Sequence, residues 1–231
     1  AYTLLINNGG NKGVVIPSNE QFGMNKGCDV KYDIRLKENF KLFVSGPSRC
    51  GKTFFVSDII ENIRGFAKQP PSIIIYVYTV WQSKFDEMRS MINYFVQDDG
   101  DITENVKKIA NGKPTLVVFD DLINSKSLSG IAKLFTVDAR HMNLSLIFLS
   151  QRLFVNDEYF RQISQNSDYF AIFKNPRNSM EIRNLAQQMT PGSLVLVDIY
   201  MEATKNPFSY LFINVTQECP PRVKYLSSLF D

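Results

Sequence analysis

The chain has 231 residues, of which 44% are apolar, 21% charged and 13% aromatic. These values exclude global disorder, collagen-like and coiled-coil architectures, and they suit one α/β or all-β domain. The formal charge of +3 is too small to argue for or against nucleic acid, and three scattered cysteines (Cys28, Cys50, Cys219) with the single His141 argue against a structural zinc site or a disulfide framework.

Residues 1–35 are rich in Gly and Asn. They predict an irregular arm or hairpin, with Tyr2–Ile6 and Val14–Ile16 as edge-strand candidates. From Phe40 onward short apolar runs alternate with helical stretches. Lys41–Ser45 predicts a strand. Thr53–Arg64 predicts a helix, with Phe55, Ile59, Ile60 and Ile63 on one face and Gly65 as its stop. Pro70 and Pro71 break the chain before a strand at Ile73–Tyr78. Helices are expected at Met88–Phe95 and Ile102–Ile109, around the acidic turn 98–101. A strand follows at Leu116–Phe119, then an amphipathic helix at Ser127–Asp138. Strands at Leu144–Leu149, Tyr169–Phe173 and Tyr210–Val215 and a helix at Met180–Met189 complete the pattern. Such alternation predicts βαβ units in a parallel sheet flanked by helices. The near-continuous apolar runs 73–78 and 144–149 suit central strands covered on both faces.

Gly46-Pro47-Ser48-Arg49-Cys50-Gly51-Lys52-Thr53 fits the phosphate-loop pattern G-x-x-x-x-G-K-[ST] in full, between a predicted strand and a predicted helix. The two glycines free the backbone to turn its N–H groups inward. Those groups and the helix N-terminus cradle phosphates. Lys52 is assigned to the β- and γ-phosphates of ATP, and the Thr53 hydroxyl to Mg²⁺. Cys50 inside the loop reads as a small filler. The octet divides the chain into an arm (1–37), a P-loop ATPase domain (38–218) and a C-terminal tail (219–231), whose Tyr225 and Phe230 read as aromatic docking anchors.

The run Thr115–Phe119 ends in Asp120 and Asp121, acids at the carboxyl edge of a buried strand, where ligands of such sheets bind. Asp120 is the expected Mg²⁺ partner and Asp121 the expected base for the attacking water. The alternative is a capping or solvated pair of acids before the helix that follows. The next strand ends in Ser150 and Gln151, and a side-chain amide there can orient the lytic water. The transition state also calls for a cation on the γ-phosphate. Arg140 precedes strand 144–149 at the end away from its own cleft, so it is a candidate for reaching a neighbouring subunit. Arg152 and Arg161 are rivals.

These motifs, together with Arg140-His141, Asn143 and the run into Gln151-Arg152-Leu153-Phe154, make the chain resemble the FtsK–HerA superfamily of ring ATPases. Within it, the chain is most similar to the genome-packaging ATPases of large eukaryotic DNA viruses, virophages and Polinton-type elements. The similarity covers about residues 38–215. It implies an ASCE-type, RecA-like P-loop core with an acid-bearing strand between the phosphate-loop strand and a neighbour. It further implies Gln151 as sensor, an arginine finger acting in trans, and a homo-oligomeric ring (pentamer or hexamer) that drives double-stranded DNA into a procapsid. A capsid or portal vertex protein is the implied docking partner. Family members often carry Asn where this chain has Arg152, which makes Arg152 a rival finger or a DNA contact.

Candidate DNA contacts are the loop Lys174–Arg177, with Arg152, Arg161 and Arg183 nearby in sequence, and the pair Lys107-Lys108. Trp81 and Phe85 are expected in the core, or else at the border of the nucleotide or of an interface. Competing functions are another DNA pump or helicase-type ring ATPase, and a P-loop small-molecule kinase. No apolar run reaches the about 18 residues that span a bilayer, and the N-terminus shows no signal-peptide pattern. The expected location is the host cell interior at a viral assembly site in cytoplasm or nucleus, with transient presence on the virion and no secretion.

Overall fold

The structure, a computed structural model, describes residues 33–100, 102–177 and 179–229, together with the backbone of two strands earlier in the chain. Those strands, β1 (Tyr2–Leu5) and β2 (Val14–Pro17), pair antiparallel. The rest of the expected arm up to residue 32, with Cys28, lies outside the described residues, as does Phe230. β3 (Lys41–Ser45) leads into α1 (Lys52–Phe66), and β4 (Ile73–Tyr78) into the short α2 (Lys84–Met88). Next come β5 (Tyr94–Gln97), α3 (Ile102–Ala110) and β6 (Thr115–Asp120). α4 (Leu128–Lys133) continues through a π-helical turn, Leu134–Asp138, into α5 (Ala139–His141). β7 (Leu144–Ser150), α6 (Glu158–Gln165), β8 (Tyr169–Phe173), α7 (Ser179–Met189), α8 (Val195–Ala203), β9 (Tyr210–Asn214) and β10 (Tyr225–Leu226) follow.

The strands form one sheet in the order β1-β2-β10-β9-β8-β3-β7-β6-β4-β5. From β8 to β5 every neighbouring pair is parallel. β9 and β10 extend the sheet antiparallel beyond β8. Alternation along the strands sorts the core into two layers. Leu42, Val44, Tyr76, Leu116, Val118 and Ile147 face α1 and α2. Phe43, Ile75, Val117, Phe119 and Phe148 face α3, α4 and α6–α8. Every residue of β6 and β7 is buried, which explains why their sequences lack a polar alternation. Phe43 anchors one layer, with Phe160 edge-on at 5.5 Å and Phe148 stacked at 5.8 Å.

Three expectations fail here. Residues 88–95 are not a helix: α2 ends at Met88, and Tyr94–Gln97 form edge strand β5 beside β4. Aromatic and β-branched residues prefer that pleated surface, and Phe95 packs its ring 5.8 Å from Tyr76. Gly65 does not stop α1, which runs on to Phe66. The helix ends where Leu36 takes over the backbone, donating to the Phe66 carbonyl and accepting from the Lys68 N–H, each at 2.8 Å. Finally, the acid-bearing strand does not neighbour the phosphate-loop strand. β7 lies between β3 and β6, so the strand tipped by Gln151 is the inner one. In the C-terminal segment, Tyr225 and Leu226 pair with Ile213 and Phe212 of β9, and Tyr225 packs against the core.

Candidate nucleotide site

Parallel strands end together, and register decides which side chains share the edge. Ser45 of β3 is level with Ser150 of β7, and Asp120 of β6 is level with Leu149. The Gly46 N–H donates to the Ser150 carbonyl at 3.2 Å. The phosphate loop, Asp120, Asp121 and Gln151 are thereby brought to one rim. An open cleft of about 850 Å³ lies there, a volume typical of small-molecule sites.

Ser48, Arg49, Gly51, Lys52 and Thr53 line the cleft from the loop. Gly46, Pro47 and Cys50 form the base of the loop and do not line it. Gly46 is required by space: a Cβ there would stand 2.6 Å from Phe173 Cβ and 2.7 Å from Cys50 Sγ. Gly51 is required by conformation, with φ of +105° at the start of α1. Arg49 also takes a positive φ, +64°. The Lys52 ammonium donates to the carbonyls of Gly46 (2.6 Å) and Pro47 (2.9 Å), which centres it over the loop. Burial pushes the Cys50 thiol up, in keeping with a filler.

Asp120 is buried and aimed into the cleft. Burial raises its pKa, and the Tyr76 hydroxyl, donating to Oδ2 at 2.9 Å, pulls the other way. Tyr76 comes from β4, and the sequence carries no motif that marks it. Asp121 follows with φ of +57°, a left-handed conformation that Asp tolerates, and its Oδ2 accepts from Gln151 Nε2 at 3.0 Å. Neither aspartate caps α4; Asp120 is buried, while Asp121 is exposed to solvent. The acid that holds that helix start is Asp98, which accepts from the Ser127 hydroxyl at 2.6 Å and from the Ser125 hydroxyl.

Thr53 and Asp120 supply hard oxygen donors to the same cleft. One hydroxyl and one carboxylate, completed by phosphate oxygens and water, suit Mg²⁺, which keeps few protein ligands. Among the described residues no group of three or more His, Cys, Asp or Glu is placed to hold a metal by itself.

Arg140 is exposed on α5, before β7, and does not line the cleft of its own chain. Arg152 and Arg161 are exposed and also absent from the lining. The loop Lys174–Arg177 follows β8 at the same sheet edge as the phosphate loop, with Lys174 Nζ donating to the Lys205 carbonyl at 3.0 Å. Lys107 lies elsewhere, paired with Glu104 and Asp138. Phe85 is fully buried, and Trp81, which is 38% exposed, joins the aromatic cluster of Tyr78, Phe85 and Phe95; neither lines the cleft. The sequence motifs also miss lining residues from outside the loop, among them Gln82, Lys84, Phe173, Phe208 and Tyr210.

A protein-family model described as Poxvirus A32 protein matches residues 28–190. No curated protein matches the chain by sequence. Among solved structures, the genome packaging NTPase B204 from Sulfolobus turreted icosahedral virus 2, in complex with ATP-gammaS, is 19% identical with a TM-score of 0.54, the match covering 78% of this chain and 95% of that one. The cytoplasmic domain of the type VII secretion ATPase EccC from Thermomonospora curvata is 14% identical with a TM-score of 0.53, over 84% of this chain and 23% of that one. EssC (ATPases 2 and 3) from Geobacillus thermodenitrificans is 12% identical with a TM-score of 0.52, over 80% of this chain and 42% of that one. At these identities the likeness establishes the fold, a P-loop NTPase core. No helix among the described residues is long and apolar enough to cross a membrane.

Proposed function

From the premise that the chain belongs to the poxvirus A32 protein family, a family of viral genome-packaging ATPases, we propose that it hydrolyses Mg²⁺-bound ATP and couples that hydrolysis to movement of double-stranded DNA. The observation that carries the reading is the meeting, at one sheet edge, of the phosphate loop, buried Asp120 and the Asp121–Gln151 pair. Thr53 and Asp120 would hold Mg²⁺, which when bound would screen the phosphate charge. Lys52 exchanges its two loop carbonyls for β- and γ-phosphate oxygens. Asp121 takes the proton of the attacking water, and Gln151, bonded to it, orients that water. The Gln beside the acid favours hydrolysis by water over transfer to a small-molecule acceptor.

The remaining parts belong to an assembly. Arg140 lies away from its own cleft, so it serves a neighbour's γ-phosphate in a homo-oligomeric ring, a pentamer or hexamer. The exposed loop Lys174–Arg177 contacts DNA phosphates, and the ring multiplies its few charges. The ring docks on a capsid or portal vertex protein at a viral assembly site inside the host cell. The test is mass measurement with ATP-gammaS, with and without duplex DNA, alongside phosphate release. A nucleotide-dependent ring whose ATPase rises with duplex DNA is expected. A monomer under all conditions that phosphorylates a nucleoside would overturn the proposal.

Two further outcomes follow from particular residues. Arg140→Ala and Lys52→Ala subunits, each inactive alone, are expected to recover hydrolysis when mixed, because an intact Arg140 then meets an intact loop across an interface. Phosphate release against mixing ratio checks this, and no recovery at any ratio would remove the trans role. Tyr76→Phe deletes the donor that offsets burial at Asp120, so the carboxyl pKa rises further. Activity needs the carboxylate and is lost as pH falls through that pKa. The acid limb of kcat/KM is therefore expected at higher pH in Tyr76→Phe, with the alkaline plateau little changed, as a pH–rate profile would show.

A further inference from the structure

Sheet order divides the cleft into two ends. β7 and β6 lie on one side of β3 and bring Gln151, Asp120 and Asp121. β8 and β9 lie on the other side. Because β9 runs antiparallel, its first residue is level with the last of β8, Tyr210 beside Phe173, so the turn before β9 reaches the phosphate-loop edge. Phe173, Phe208 and Tyr210 line that second end. A third wall comes from α1 and the turn before α2, but its exposed ring, Phe54, is already covered by the Lys84 ammonium at 4.3 Å. A nucleoside triphosphate with its terminal phosphate at the acid end and its base along the sheet edge reaches the rings of the second end.

Phe173 and Tyr210 are already engaged: their rings lie 5.3 Å apart, and Tyr210 is 4.6 Å from Phe55. Phe208 differs. Its side chain lines the cleft, yet the residue is 68% exposed. Its backbone takes φ of +64°, a region that bulky side chains rarely adopt. The turn is anchored behind it, with Ser209 donating to the Asn206 carbonyl from its hydroxyl (2.6 Å) and its N–H (3.4 Å). Proline followed by a positive φ is the type II turn pattern, whose third position ordinarily takes Gly or Asn. The chain instead places a large ring there. A Cβ on Gly51 would be 3.8 Å from Phe208 Cβ and Cδ1, so the ring stands over the last glycine of the loop, where α1 begins.

We propose that Phe208 is the base-stacking residue of the nucleotide site and that its ring packs against the purine of the bound triphosphate. The proposal rests on the ATPase reading above and deepens it. Stacking uses the face of the base and not its exocyclic groups, so adenine and guanine nucleotides both profit. The turn, held by the two Ser209 bonds to the Asn206 carbonyl, fixes the backbone under the ring before the nucleotide arrives, which lowers the ordering cost of binding.

Phe208→Gly tests this cleanly, because glycine suits the positive φ and removes only the ring. Titration calorimetry with Mg²⁺ would compare ATP, GTP and inorganic tripolyphosphate, which has no base. ATP and GTP affinity are expected to fall by about 5- to 100-fold, tripolyphosphate affinity to stay unchanged, and Phe208→Trp to bind ATP like the natural chain. Unchanged ATP affinity in Phe208→Gly, or equal losses for ATP and tripolyphosphate, would overturn the proposal. A natural chain that binds neither ATP nor tripolyphosphate would overturn the ATPase reading, and this proposal with it.

Discussion

Lys52→Ala is expected to lower kcat for ATP hydrolysis by about 100- to 1,000-fold or more, on the scale of losing a fixed donor to a developing anion. The helix N-terminus and loop N–H groups remain in the variant, but they carry only partial charges. The lost ammonium is a full positive charge held over the loop by the carbonyls of Gly46 and Pro47. Alanine is the best helix former, and Lys52 is the first residue of α1, so the fold should persist. Phosphate release and a thermal melt separate the two effects. Near-normal turnover in Lys52→Ala would remove the phosphate loop from the chemistry.

Asp121→Asn should leave nucleotide affinity within about threefold while cutting kcat by about 100- to 10,000-fold, the range for a lost general base. The substitution is close to isosteric, and Asn tolerates the φ of +57° at this position at least as well as Asp. The bond from Gln151 Nε2 can still be accepted, by the amide oxygen. What disappears is the capacity to take a proton. Gln151→Ala should fall in the same direction, because it frees Asp121 and leaves the water unoriented. Binding assays with ATP-gammaS beside single-turnover hydrolysis would show the split. Full activity in Asp121→Asn would assign the base elsewhere.

Much of the fold was legible because its signals are local. Apolar runs of strand length, a complete phosphate-loop octet and breaks at Gly and Pro located β3, β4, β6, β7, β8 and α1 to within a few residues. What misled was context. Tyr94, Phe95 and Val96 look helical beside Met88 and Met91 until β4 supplies an edge to pair with. Strand order was also out of reach, since nothing in Leu144–Leu149 says that it inserts between the phosphate-loop strand and the acid strand. The same holds at the site. The octet, Asp120, Asp121 and Gln151 stand out as motif residues by spacing, and Ser48, Arg49, Gly51, Lys52, Thr53 and the three others line one cleft. Tyr76 and Phe208 are not motif residues: one acts across a strand pair, and the other depends on an antiparallel turn returning to the loop. Both lie in segments where an aromatic residue is unremarkable until the fold gives it a neighbour.

On the proposed function, hydrolysis at this cleft moves duplex DNA through an assembly of identical chains. Displacement of a labelled third strand from a triplex by the natural chain tests it most directly. With ATP and Mg²⁺, displacement is expected to proceed and to arrive later as duplex is added between entry end and triplex. Lys52→Ala should abolish it. Brisk ATP hydrolysis that duplex DNA leaves unchanged, with the triplex intact, would rule out DNA translocation by this chain.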